Sequence, residues 1–205
     1  FASRVDAAPS LGTVEGVVAI QRDGAEKDDR SGVVVSILGV PGAKPRPLEP
    51  KPEIHQRDLR FTSPLTVVPA GTTVEFPNDD KVFHNVFSVS KTQRFDLGLY
   101  KSGSSKGVTF KHEGEIDVYC NIHPQMVAKI KVVDTPFFAV TDASGRFRIA
   151  EVPPGKYRVV AWQAGGETQD AEVVVHAGKT SALAFELTEA RVSKRHLRKD
   201  GTPYG

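Results

Sequence analysis

Apolar residues recur at every second position through most of this chain, in runs of about five to eight separated by Gly, Pro, Asp and Ser. No long segment repeats at helical spacing. A period of two puts alternate side chains on opposite faces of an extended strand, so the pattern predicts an all-β protein. Residues 14–20 and 32–38 read as strands joined by a charged stretch. A proline-rich connector follows, residues 41–60, expected to be extended because its prolines cannot donate to a ladder. Further strands are predicted over 65–68, 72–76, 85–89, 107–111, 115–120 and 126–133. A second set covers 137–141, 146–150, 155–163, 171–176 and 181–187. Short strands with turn residues between them form sandwiches. The end of the chain, with Arg191, Lys194, Arg195, His196, Arg198 and Lys199, has little to bury and reads as a solvated tail; the sharper alternative is a docking arm for an acidic partner.

With 205 residues, 39% of them hydrophobic, the chain has room for one large domain or two small ones. The net charge of +2, from 27 basic and 25 acidic residues, gives no general attraction to nucleic acid. No apolar run approaches the roughly 20 residues of a membrane span, and the first residues lack an apolar secretory core. A chain beginning at Phe1 is expected to be a processed or trimmed form. The single Cys excludes an internal disulfide, so packing must hold the fold.

That Cys lies in Tyr119-Cys120-Asn121-Ile122-His123-Pro124-Gln125-Met126, which spaces a thiolate, an imidazole and a thioether three residues apart. Soft sulfur stabilises Cu(I), imidazole serves both oxidation states, and a weak thioether tunes the potential, so this ligand set suits one mononuclear copper. Alternation places Ile116, Val118 and Cys120 on one face, and Met126, Ala128, Ile130 and Val132 on one face of the next strand, with Lys129 and Lys131 outward. Paired as a hairpin, these strands would turn Cys120 and Met126 inward and leave His123 in the loop. A lone Met placed at random would fall six residues after the Cys in roughly one of two hundred chains. A second nitrogen ligand is needed, and His84, at a loop end before a strand, is the best candidate. His55, His112, His176 and His196 lie in polar or charged settings without a paired ligand.

The run Cys120 to Met126 resembles the ligand loop of small blue-copper proteins, the cupredoxins, and its spacing with Pro124 is most similar to that of amicyanins. Phe83-His84-Asn85-Val86 resembles the first-ligand motif of amicyanins and plastocyanins. The resemblance implies a Greek-key sandwich over 61–134, with His84, Cys120, His123 and Met126 as copper ligands. It also implies an Asn85 backbone N–H directed at the Cys120 thiolate. A wider match from Val67 to Gln163 is similar to methylamine-utilisation-type plastocyanin-like proteins, with Pro124-Gln125 standing where those relatives often have Asp-Trp.

Thr141-Asp-Ala-Ser-Gly-Arg-Phe-Arg-Ile149 and Val152-Pro-Pro-Gly-Lys-Tyr-Arg-Val-Val-Ala-Trp162 resemble carboxypeptidase regulatory-like domains, which are small transthyretin-like sandwiches, here over 135–188. Residues 12–40 resemble the first strands of such a domain. One reading makes the copper domain an insertion in the second sandwich; the other gives these strands to the copper domain. The insertion is preferred, with 189–205 as the basic tail.

The leading expectation is a non-enzymatic electron carrier, or an electron-transfer subunit of a larger redox complex. A cytochrome or a membrane redox complex would be its partner, and the location periplasmic or otherwise extracytoplasmic. A copper carrier or store and a structural assembly subunit are the alternatives. Enzymatic readings lack support: no His-x-His pair suggests a second copper, and no haem-attachment motif occurs.

Overall fold

A computed structural model describes residues 10–189 and 197–203. The described residues form strands and no helix. In chain order these are β1 (Gly12–Arg22), β2 (Ala25–Glu26), β3 (Val34–Leu38), β4 (Gln56–Arg57), β5 (Arg60–Phe61) and β6 (Leu65–Pro69). Then come β7 (Thr72–Glu75), β8 (His84–Ser88), β9 (Phe95–Tyr100), β10 (Gly107–Phe110), β11 (Gly114–Cys120) and β12 (Val127–Val133). The last are β13 (Phe138–Val140), β14 (Arg146–Val152), β15 (Gly155–Trp162), β16 (Thr168–Val175) and β17 (Thr180–Thr188). No helix among the described residues is long and apolar enough to cross a membrane.

The strands fall into two compact units. One combines the chain up to Ala43 with the chain from Phe137, and the other begins at Lys44, ends at Pro136 and takes in the C-terminal stretch. In the first unit β1 lies between β14, antiparallel, and β17, parallel, while β3 lies between β13 and β15 in a sheet that continues to β16. The two sheets share a core of inward residues: Val14, Val18 and Ile20 of β1, Val35 and Ile37 of β3, then Val159, Val173, Phe185 and Leu187. The β1–β17 ladder is so close at Gly16 that a Cβ there would stand 1.9 Å from the Leu183 carbonyl oxygen, which is why the strand carries glycine at that point.

The second unit is built on a five-stranded sheet, β6-β12-β11-β8-β9, with the pair β10-β7 contributing to the same core. Phe76, Phe110, Ile116, Ile130 and Met126 are fully enclosed in it. Strand β9 was not expected from the sequence. Its pairing with β8 shifts by a bulge between Asn85 and Phe87, and Gly98 sits at φ +65°, so the apolar alternation is broken along it.

The connector expected over 41–60 is corrected from residue 44 onward, because that stretch belongs to the second unit and helps to close its core. Its prolines lack donors, but Ile54 N–H donates to the Glu75 carbonyl and Gln56 N–H to that of Pro77, both at 2.9 Å, and the Pro52 carbonyl accepts from Glu75 N–H at 2.9 Å. Ile54 and Gln56 are therefore fully buried beside β7. The Gln56 side chain donates to Tyr100 Oη at 2.5 Å, and Tyr100 Oη donates to the Phe76 carbonyl at 3.0 Å. Burial pushes the Tyr100 hydroxyl pKa up. Of the basic tail, Arg191, Lys194, Arg195 and His196 lie outside the described residues, while residues 197–203 are exposed but fastened to the second unit through Lys199.

Ile54→Ala is expected to lower the unfolding free energy by about 2–5 kcal/mol in urea titrations, as loss of a core side chain does. A residue in a solvated linker would cost less than about 0.5 kcal/mol, and that result would return the segment to the linker class.

Candidate metal centre

The antiparallel β11–β12 hairpin pairs Ile116 with Ile130 and Val118 with Ala128. Continuing that register, Cys120 N–H donates to the Met126 carbonyl at 3.3 Å, and Met126 N–H donates to the His123 carbonyl at 3.1 Å. The loop is thus closed tightly, and it carries the sulfur-bearing side chains to the inner face, where both are fully buried in one core. On the other side of β11, Cys120 pairs with Val86 of β8. His84, expected in a loop, is the first residue of β8 and fully buried. It pairs with Tyr100 across β9.

These pairings bring His84, Cys120 and His123 together, with one donor atom from each within 4.8 Å of the others. The two Nδ1 atoms are 3.0 Å apart, and the Cys120 sulfur lies 3.8 Å from His84 Nδ1 and 3.6 Å from His123 Nδ1. Nitrogen and sulfur ligands at about 2.0–2.3 Å from a common cation stand roughly 3–4 Å from each other, so the three atoms are spaced as a metal requires. Met126 enters the same core immediately before β12.

The surroundings prepare each ligand. Burial opposes the Cys120 thiolate, but His84 and the backbone N–H groups of Asn85, Ile122 and His123 offset it and hold the thiol pKa below its ordinary value. For His84, burial is likewise outweighed, by Cys120 and Asp80, and its pKa is raised. Burial, with the neighbouring His84, lowers the pKa of His123. His84 Nε2 lies 2.8 Å from Asp80 Oδ2. That carboxylate is itself gripped: Oδ1 accepts Asp58 N–H at 2.7 Å and Oδ2 accepts Leu59 N–H at 3.0 Å. Asp58 and Leu59 have φ of +53° and +56°, a left-handed pair that turns β4 into β5 and points both amides at Asp80. Burial works against the Asp80 charge, yet these N–H groups and His84 keep its pKa below the usual carboxylate value. An ionised carboxylate only accepts, so Nε2 carries a proton towards Asp80, and Nδ1 is the ring atom turned to Cys120 and His123.

Asp80 escaped the sequence reading. It stands four residues before His84, but the β4–β5 turn that holds it depends on contacts no local pattern reveals. Of the other histidines, His55 is held at 2.8 Å by both Glu53 and Asp79, and His112 and His176 are exposed. His196 lies outside the described residues.

A buried thiolate and two converging imidazole Nδ1 atoms fit copper by donor chemistry, soft sulfur beside borderline nitrogen, and among the described residues no carboxylate joins the group. They are compatible with a single type 1 site.

Residues 49–133 match the family described as copper binding proteins, plastocyanin/azurin family. Residues 123–188 match the carboxypeptidase regulatory-like domain. The two spans overlap over 123–133, which the structure places in the copper sheet through the pairing of β12 with β11 and β6. Among solved structures, amicyanin from Paracoccus versutus is 21% identical over 48% of this chain and 97% of its own, with a TM-score of 0.39. A purple cupredoxin from Nitrosopumilus maritimus is 25% identical over 40% of this chain and 100% of its own, with a TM-score of 0.37. No curated protein matches the chain. The chain thus joins a stretch that matches the copper-binding plastocyanin/azurin family to one that matches the carboxypeptidase regulatory-like domain.

Proposed function

We propose that this protein passes single electrons between redox partners at a type 1 copper site held by His84, Cys120, His123 and Met126, as a carrier rather than an enzyme. The observation that carries this reading is the convergence of His84 Nδ1, His123 Nδ1 and the Cys120 sulfur, with Met126 buried beside Cys120. Copper bound there supplies a one-electron Cu(I)/Cu(II) couple.

The chain's own part is to hold the ligands still and dry. Three of the four are fully buried and set by strand register, so little rearrangement accompanies a change of charge. Such enclosure speaks against a copper carrier or store, which needs an open site. His123 is the ligand with exposed surface, and the residues flanking the ligands in sequence, Phe83 and Ile122, are exposed and apolar. A small apolar face of this kind suits the weak, transient docking of redox proteins. Partners of the cytochrome or membrane redox complex class, and an extracytoplasmic location such as the periplasm, belong to the same reading.

The copper-loaded protein is expected to show an intense thiolate-to-copper visible band, and a colourless holoprotein would end the proposal. His84→Ala should abolish the band. Met126→Leu, close in volume, should keep the band and raise the reduction potential, since the oxidised state loses a donor. An unchanged potential would remove Met126 from the ligand set.

Asp80→Ala should weaken copper affinity by about 10–100-fold in competition with a chelator, the usual effect of losing the group that orients a ligating imidazole. Equal affinity in variant and parent would mean that packing alone holds His84.

A further inference from the structure

Residues 197–203 fold into a compact turn. Arg198 N–H donates to the Thr202 carbonyl and Gly201 N–H to that of Arg198, both at 2.9 Å, while the Asp200 carboxylate accepts the Thr202 N–H at 2.9 Å and its hydroxyl at 2.7 Å. The turn presents Lys199 to two groups of the copper unit. Its backbone N–H donates to Asn121 Oδ1 at 3.0 Å, and its Nζ donates to Asp96 Oδ2 at 2.7 Å.

One contact adjoins a ligand in sequence, and the other reaches the ligands through Asn85. Asn121 follows Cys120 directly, and its N–H donates to the Asn85 carbonyl at 3.1 Å. The second oxygen of Asp96 accepts Asn85 Nδ2 at 2.6 Å and Gly98 N–H at 2.9 Å. Asn85, next to His84, turns its own backbone N–H to the Cys120 sulfur. The bulge in β9 makes this possible: one extra residue between Asp96 and Leu99, with Gly98 left-handed, sets Asp96 against the Asn85 side chain. Asn85 is therefore held from both ends, its carbonyl through Asn121 and its side chain through Asp96, and Lys199 bonds both holders.

We propose that residues 197–203 are a strap that positions the Asn85 amide against the Cys120 thiolate, with Lys199 and Asp96 as its positioning residues. A firm N–H to the thiolate withdraws charge from sulfur; a loosened one leaves the sulfur a stronger donor and favours the oxidised state. The effect on potential rests on the proposed electron-transfer function. The effect on the Asn85 amide does not.

Lys199→Ala tests the strap in the full chain. Amide hydrogen exchange at Asn85, followed by NMR in the metal-free protein, should accelerate about threefold, the scale of a partly exposed charge-assisted contact. In the copper-loaded protein the reduced state should lose about threefold in equilibrium constant, a fall of about 28 mV at about 59 mV per tenfold for one electron. Lys199→Arg should restore both. Lys101→Ala, which removes an exposed lysine charge beside β9, controls for charge alone. If Asn85 exchange is unchanged in Lys199→Ala, or if Lys101→Ala lowers the potential equally with no change in exchange in either variant, the strap is rejected. A parent protein without a blue band would overturn the electron-transfer reading instead, and Asn85 exchange would still decide the strap.

Discussion

The copper site depends on the register of one strand. β11 pairs on one edge with β12 and on the other with β8, and Cys120 is its last residue. A slip of one residue on either side would flip the inward set outward, moving Cys120 to the surface or His84 off the sulfur. The apolar residues that alternate with the outward ones along β11 and β12, such as Ile116, Val118, Ala128 and Ile130, oppose that slip, since each would leave a dry core for water. Core packing and ligand placement are thus one constraint. The chemistry is added at the end of a sheet whose hydrophobic pattern already fixes where that end lies.

A second constraint acts on the chain as a whole. The parallel pairing of β1 with β17 joins the beginning of the described chain to its last strand, and β3 pairs with β13 and β15. The regulatory-like unit is consequently discontinuous, and the copper unit leaves it after Ala43 and returns at Phe137. Closing so long a loop costs little more than closing one half its length, because the entropy grows only logarithmically. The family match to 123–188 covers only the continuous C-terminal part of that unit; β1 and β3, which supply Val14, Val18, Val35 and Ile37 to its core, come from before the copper domain.

Local patterns made much of this legible. Strict alternation identified the strands around Cys120, and the six-residue step from Cys120 to Met126 marked the candidate ligand loop. His84 needed resemblance, since a single His before a strand is common, and its position inside β8 rather than before it followed only from the partner strands. Two misreadings have the same origin. The prolines between 41 and 52 obscure the inward Ile54 and Gln56, and the bulge at Gly98 scrambles the alternation of β9. The connector is ordered by carbonyls and amides in and beside β7, and β9 by a bulged pairing with β8; a linear pattern contains neither. Asp80 and Lys199 were hidden for that reason too: each acts through a contact set by tertiary pairing.

Those two residues show how far the working copper module extends beyond its ligand-bearing strands. His84 is oriented by Asp80, which is gripped by amides of Asp58 and Leu59, upstream of the first strand legible in the sequence of this unit. Cys120 is braced by Asn85, whose holders are bonded by Lys199 from the far end of the chain. Strands spanning 61–134 alone would keep all four proposed ligands and lose both supports. A carboxylate such as Asp80, with only 13% of its side chain exposed, would then lack two of its hydrogen-bond donors, which penalises its charge and with it the orientation of the imidazole it holds. The ligands come from a short stretch of chain, but their stiffness is borrowed from segments on either side of it.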